Sequence, residues 1–268
     1  MAAPWFESEI AQSLAALAPS LAIEVVPEID STSSELMRRA RDGSQAAVLL
    51  VAERQTAGRG RLGRPWQSAQ GDREPASLTF SLGLPLAPRD WSGLSLAVGA
   101  SVAEGLDPGG AAGLGLKWPN DLWVQERKLG GILIETALLQ PDTPQRYLVV
   151  GIGINIGPRA SEGLSTAPAW LQEWRPDASA GAVLRELVAP LVRDVQLFDE
   201  RGFVPFAARF AARDLLRGRE VQLSDGTEGR CEGVGWGGEL LVRTADGTMK
   251  TITSSEVSVR PRAPQASA

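Results

Sequence analysis

Beyond Arg217 the chain changes texture. Strand-sized runs are separated there by Asp225-Gly226, Gly237-Gly238 and Asp246-Gly247, dipeptides suited to the positive-φ turns of two-residue hairpins. This spacing predicts a small all-β module of about five strands over Gly218–Arg260, SH3-like in size. Upstream the pattern is mixed. Helical spacing of apolar residues marks Trp5–Leu17, Trp91–Leu106, Ala178–Glu200 and Phe203–Leu215, with a break at Gly202. Thr32 and Glu35 stand three apart, a capping-box arrangement opening a helix that runs to about Arg41. Strands are expected at Ile23–Pro27, Ala46–Ala52, Ser77–Leu82, Leu114–Trp118, Leu122–Gln125, Lys128–Leu138 and Gln145–Ile156, the last two long enough to pair. Strict βαβ alternation is missing, which favours an α+β fold, a mixed sheet flanked by helices, over a doubly wound parallel sheet. The expected division is a main unit over 1–216, the β module over 217–262 and a frayed tail over 263–268.

Composition narrows the chemistry. The chain has 268 residues and a formal net charge of −5, with 43% apolar and 22% charged residues, values that fit a soluble globular protein and exclude disorder. There is no histidine, so imidazole bases, histidine triads and His-ligated metals are all excluded. Cys231 is the only cysteine, which rules out an intrachain disulfide and a thiolate zinc cluster. A metal, if used, is then a hard cation such as magnesium on carboxylates, waters or substrate phosphates. No segment has the ~18 apolar residues of a membrane span. Met1–Ile10 carries Glu7 and Glu9 and lacks a signal-peptide layout. A cytoplasmic protein with no membrane partner is expected.

Three motifs carry the chemistry. Between Gln55 and Pro75 periodicity disappears and glycine, arginine and proline dominate, and so long a structureless stretch in a compact domain is usually functional. Its Gly58-Arg59-Gly60-Arg61-Leu62-Gly63-Arg64 satisfies G-x-G-x-x-G in letters, but Pro65 follows where a dinucleotide fingerprint needs a helix. No Walker loop occurs either. Arg54, Arg59, Arg61 and Arg64 repel one another unless water or an anion neutralises them, and guanidinium forks with close glycine backbone suit phosphate. Lys117-Trp118-Pro119-Asn120-Asp121 packs a cation, an amide and a carboxylate around a proline. That cluster suits a nucleotide and metal, or equally a plain strand-to-strand turn. Lys128-Leu129-Gly130-Gly131 and Gly151-Ile152-Gly153-Ile154-Asn155 set glycines in strands, a sign of close approach by a ligand or another strand.

Taken together, Asp30-Ser31-Thr32-Ser33, Glu53–Trp66, Lys117–Asp121, Lys128–Glu135 and Gly151–Asn155 resemble the biotin protein ligases in order and approximate spacing. The likeness covers roughly residues 25–260 and implies a class II synthetase-like catalytic domain followed by an SH3-like barrel. It implies a two-step reaction: biotin and ATP, with Mg2+, give biotinyl-5′-AMP and pyrophosphate, and a lysine of a biotin carboxyl carrier domain of acetyl-CoA carboxylase then takes the biotin. Carried over by position, Ser31, Thr32, Ser33, Gln55, Arg59, Gly60, Arg61, Lys128, Gly130 and Gly131 bind biotin. Arg59, Arg61, Arg64, Trp66, Lys117, Asn120, Lys128 and Asn155 bind ATP or the adenylate. The catalytic residues are Lys128, Arg59, Arg61 and Asp121. Lys128 lies between the biotin carboxylate and the α-phosphate, Trp66 covers the adenine, and Asp121 positions the acceptor amine or magnesium. No protein-held metal site is implied beyond Asp121.

The sequence departs from the family at Ser33, where asparagine is usual, and in the link 67–77, which is longer and more charged. Thirty residues precede Ser31, too few for the winged-helix domain of the repressor members, so a ligase without DNA binding is expected. A homodimer and a monomer are both compatible with the sequence. Competing classes are a lipoate ligase, a non-catalytic adenylate sensor, and a single-strand nucleic-acid module, which would need more stacking aromatics near the arginines than Trp66.

Overall fold

A computed structural model describes residues 5–68, 75–141, 143–161, 166–253 and 259–261. The first four residues of the N-terminal stretch, residues 69–74 of the link after Trp66 and the tail at 263–268 lie outside the described residues. The order is α1 (Glu7–Leu14), β1 (Ala22–Ile29), α2 (Thr32–Arg41), β2 (Val48–Gln55), β3 (Gly58–Arg59), β4 (Pro65–Trp66), β5 (Ser77–Leu86) and α3 (Leu94–Leu106). There follow β6 (Gly115–Lys117), β7 (Asp121–Val124), β8 (Arg127–Leu138), β9 (Arg146–Asn155), α4 (Ala180–Arg201) and α5 (Ala207–Ala211). The C-terminal strands are β10 (Glu220–Leu223), β11 (Glu228–Val234), β12 (Leu240–Arg243), β13 (Met249–Ile252) and β14 (Val259–Pro261).

The main sheet has seven strands in the order β1-β2-β5-β9-β8-β7-β6. Only β1 and β2 pair in parallel, and β5 through β6 are antiparallel neighbours, so the expected α+β mixed sheet is what forms. Side chains alternate between faces with period two. Leu78, Phe80 and Leu82 of β5 and Val150, Ile152 and Ile154 of β9 enter the large core beneath α3 and α4. Val48, Leu50, Tyr147 and Val149 face the other way, under Leu36, Met37 and Ala40 of α2. α2 covers only part of that second face. Past its N-terminus the same face carries Thr79, Ser81, Gly151, Gly153 and Gly131, which fill little of the space above the sheet.

Three local expectations change. The N-cap of α2 is Ser31 and not Thr32: Ser31 is extended and its Oγ accepts from the Ser34 N–H at 3.3 Å. Glu35 is instead drawn to Arg38 and Arg39, 2.8 and 2.9 Å away. The helix expected at Phe203–Leu215 shortens to a 3-10 turn and the five residues of α5. Beyond them, the chain turns aside to bond the edge strand β6, Leu215 N–H to Leu116 O at 3.0 Å and Leu116 N–H to Arg213 O at 2.7 Å. The structureless stretch after Gln55 contains a small hairpin, β3 against β4, capped by a 3-10 turn at Arg61–Gly63.

The C-terminal strands form a separate antiparallel sheet, β13-β12-β11-β10-β14, with all three dipeptide turns at the expected hairpins, as an SH3-like module requires. Its apolar side continues the main core through Val221, Cys231, Leu240 and Val242. Burial pushes the Cys231 thiol up to about 12, so it carries no nucleophile. Gly238 seals the contact: its φ of +82° and a virtual Cβ 2.7 Å from Gly93 Cα leave room for glycine alone.

Three helices meet at Arg209 of α5, which bonds Glu104 of α3 at 2.7 Å and Asp194 of α4 at 2.6 Å. Arg209→Ala leaves two carboxylates facing each other in a half-buried seam, and a loss of about 2 kcal/mol in urea unfolding is expected. A change under about 0.5 kcal/mol would show that water replaces the arginine there.

Candidate active site

The open part of the α2 face is built from missing side chains. Cross-strand pairing sets Gly131 opposite Gly153 and Leu133 opposite Gly151, while Thr79 and Ser81 of β5 stand opposite Gly153 and Gly151 on the other side. Each glycine is used differently. A Cβ on Gly153 would lie 2.4 Å from Trp66 Cε2 and 2.5 Å from Trp66 Cζ2, so the indole rests directly on the strand. A Cβ on Gly151 would lie 2.2 Å from Ser33 Oγ. At Gly131 the nearest atoms are the flexible Lys128 Nζ at 3.3 Å and Asp121 Oδ1 at 3.5 Å. Gly130 instead faces the core side, 2.6 Å from Gly153 O by the same test, and keeps β8 close to β9.

One end of this floor is neutral and hydrogen-bonding. Ser31, Thr32 and Ser33 are buried at the start of α2. Gln55 Oε1 accepts from the Thr32 N–H at 2.8 Å and from Thr32 Oγ1 at 3.0 Å. Ser81 Oγ stands 2.7 Å from Thr32 Oγ1 and 3.0 Å from Ser33 Oγ. This network holds hydroxyls and an amide at fixed places, the grammar for reading a neutral polar group. Ser33 thus belongs to it through Ser81.

The other end is cationic. Lys128 Nζ meets Asp121 Oδ1 at 2.6 Å. Lys117 stands over the Trp123 ring at 4.7 Å. Burial holds its ammonium below the ordinary lysine range; Asp121 opposes this shift, while Lys128, Arg64 and Arg260 of β14 reinforce it. Arg61 is likewise lowered by burial, with Asp121 opposing and Arg64 adding to the shift. Asp121 thus bonds Lys128 and attracts Lys117 and Arg61, while Arg64 and Arg260 of the C-terminal sheet add positive charge around Lys117. Such a cluster binds a polyanion well, because the charges are already gathered and partly desolvated.

Asn120 and Asn155 serve the backbone. Asn120 Nδ2 donates to Ile132 O at 2.8 Å. Asn155, buried, donates to Lys128 O at 3.2 Å and Ala169 O at 2.9 Å, fixing the main chain from which Lys128 extends.

The hairpin β3–β4 arches over the floor, with Gly60 N–H bonded to Arg64 O at 2.7 Å. It brings Arg61 and Arg64 to the cationic end. Arg59 goes elsewhere: its Nε donates to Ser34 Oγ at 2.8 Å and its Nη2 to Glu135 Oε2 at 2.7 Å. Glu135 lies four residues along β8 from Gly131, about 13 Å at the usual strand rise. Arg59 and Lys128 thus occupy opposite ends. A protein-held magnesium does not fit this site: Asp121 is engaged by Lys128 and Glu135 by Arg59 at the other end, and no cluster of three carboxylate or thiol ligands exists among the described residues.

A family model described as the biotin/lipoate A/B protein ligase family matches residues 25–155. The chain is 35% identical over 243 residues to the bifunctional ligase/repressor BirA of Escherichia coli, covering 89% of this chain and 74% of that protein. This chain belongs to that family. It is a ligase. The biotin–[acetyl-CoA-carboxylase] ligase of Mycobacterium tuberculosis is 35% identical over 213 residues, 75% of this chain and 74% of its own length. Among solved structures, a biotin protein ligase from Aquifex aeolicus in complex with biotin and ATP superimposes with a TM-score of 0.74 at 33% identity, over 90% of this chain and 99% of that one.

Four residues of the candidate site have no role in the motif reading. Ser81 was legible, since Ser77, Thr79 and Ser81 alternate as the polar face of an otherwise apolar strand. Ser34 and Glu135 lie inside or beside quoted motifs but have no visible partner in sequence. Arg159 had no signal at all; it bonds Asn155 Oδ1 at 2.7 Å and stands 5.6 Å over the Trp66 ring.

The glycine geometry predicts a contrast. Gly153→Ala should expel Trp66 and speed amide exchange across residues 58–66 by about tenfold, whereas Gly131→Ala should leave exchange there unchanged. Hydrogen-exchange mass spectrometry of the ligand-free ligase checks both, and equal behaviour of the two variants would count against the seat described for Trp66.

Proposed function

We propose that this ligase joins biotin to ATP to form biotinyl-5′-AMP and pyrophosphate, and then passes the biotin to a lysine of the carrier domain of acetyl-CoA carboxylase, in the cytoplasm. The observation that carries the reading is the polarity of the floor, with a neutral hydroxyl and amide pocket at one end and gathered cations at the other. Biotin has that polarity too, a neutral cyclic urea joined by an alkyl chain to a carboxylate. In this reading Ser31, Thr32, Gln55 and the Ser33–Ser81 pair face the urea, and the alkyl chain runs along the floor beside Trp66, whose indole already covers Gly153. The carboxylate then reaches Lys128.

The chemistry follows from charge. A biotin carboxylate oxygen attacks the α-phosphorus, the bond to the β-phosphate oxygen breaks, and pyrophosphate leaves. Negative charge builds on the phosphoryl oxygens, where Lys128, Lys117, Arg61 and Arg64 are already placed to stabilise it. Asp121 is released from Lys128 when the stronger anion arrives and becomes free to orient the incoming lysine amine. That amine attacks the acyl carbon, AMP departs, and an amide remains. Magnesium, when present, travels on the phosphates and waters, and no step here depends on a protein-held ion. No histidine is needed, because activation has already made the carboxyl group an electrophile. The relatives' names support biotin as the acid, and the complex of the Aquifex enzyme with biotin and ATP supports both co-substrates. A DNA-binding role is not part of the proposal: the net charge is −5, with no overall basic bias. The division of the chain near residue 217 is taken as catalytic unit and accessory module, with Arg260 supporting a role for the latter beside the nucleotide.

ATP–pyrophosphate exchange tests the first half-reaction. Exchange that depends on biotin is the expected result; exchange with lipoate alone moves the chain to the sister activity, and binding of biotin without exchange would leave a sensor. Lys128→Ala should lower exchange at saturating substrates by about a hundredfold or more while weakening biotin binding by less than tenfold, since its charge acts mainly where negative charge develops. Equal losses in calorimetric biotin affinity and in exchange rate would contradict that role.

A further inference from the structure

The sequence groups Arg59 with Arg61 and Arg64, yet the fold separates them. Arg61 lies within electrostatic reach of Asp121 and Arg64 of Lys117, while Arg59 crosses the pocket and lands on β8. Its guanidinium makes a fitted contact there: Nε on Ser34 Oγ at 2.8 Å, and Nη2 on both Glu135 oxygens at 2.9 and 2.7 Å. The three partners come from three elements: the hairpin, the first turn of α2 and the middle of β8. Ser34 follows Ser33 in α2, and Glu135 stands opposite Val149 of β9, two residues from Gly151, so the contact lies toward the neutral end of the floor. The hairpin is also fastened to the sheet by the indole of Trp66 on Gly153.

We infer that Glu135 is a positioning residue for biotin retention: with Ser34 it pulls Arg59 across the mouth of the neutral end and holds the β3–β4 hairpin down over the bound acid. The inference rests on the proposed biotin site and adds to it a residue that touches neither substrate nor nucleotide. Its logic is division of labour within one hairpin. Arg61 and Arg64 respond to the phosphates, whereas Arg59 is satisfied by the protein's own carboxylate and so closes the biotin end before ATP arrives. Glu135 stands about 13 Å along β8 from Gly131, so its loss should be felt in biotin residence and not in nucleotide binding. A charge-assisted, multiply bonded contact of this exposure is worth about five- to tenfold in a closing equilibrium.

The test uses the full chain. Glu135→Gln should raise the biotin dissociation rate and the biotin KM in pyrophosphate exchange by about five- to tenfold, with ATP KM and kcat at saturating biotin within about twofold of wild type. The charge swap R59E/E135R should recover most of the loss seen in either single variant, which a merely structural role of Glu135 would not give. Without any ligand, Glu135→Gln should also speed trypsin cleavage after Arg61. An unchanged dissociation rate, an ATP KM that rises with the biotin KM, or absence of recovery in the swap would overturn the inference. The trypsin result separates the two levels: if wild type neither binds biotin nor exchanges, the biotin reading fails, whereas faster ligand-free cleavage in the variant still shows Glu135 holding the hairpin.

Discussion

Pairing of β8 with β9 in one register is the constraint on which the site depends. Because Gly131 falls opposite Gly153, the sheet exposes bare backbone for a stretch where any side chain would fill the space. A shift of one residue would turn Ile132 and Ile152, now in the core, onto that face. The long antiparallel contact between the two strands makes that slip costly, and it is buttressed by β5 on the far side. The pocket is therefore a product of register, and the residues lining it gain their positions from strands whose other face is the main core.

Electrostatics supply the second half of the design. Gathering the cations of the site in one place is unfavourable without an anion, and burial first, with like charge adding to it, holds Lys117 and Arg61 below their ordinary ranges. Asp121 offsets part of this by bonding Lys128. A bound phosphate offsets more. A bound polyanion would relieve that repulsion with little change of side-chain position beyond parting Lys128 from Asp121. The fixed backbone beneath Lys128, tied by Asn155 to both Lys128 O and Ala169 O, keeps that cluster in place.

Much of this was legible in the residues. Strict alternation in Ser77–Leu86 and the glycine spacing of β8 and β9 reveal a two-faced sheet, because period two is a local property. Dipeptide turns located all three C-terminal hairpins for the same reason. Two kinds of error arose where a local signal met a tertiary one. Thr32 and Glu35 have capping-box spacing, but Ser31 takes the cap because Gln55 claims the Thr32 amide and the arginines claim Glu35. The helical pattern past Ala211 gives way because β6 needs a backbone partner at its edge. Partnerships such as Arg59 with Glu135, 76 residues apart, leave no trace in spacing at all.

The C-terminal sheet looks like an appended piece, with its own strands and its own hairpin grammar. Its fastening contradicts that appearance. Trp118, in the middle of the lysine–asparagine–aspartate motif, is 1% exposed, and its Nε1 donates to Gly238 O at 3.0 Å. The motif that gathers the cations is thus roofed by a turn more than a hundred residues away. Removal of the smaller sheet would therefore uncover a large aromatic surface and unsettle the lysine beside it in the same event.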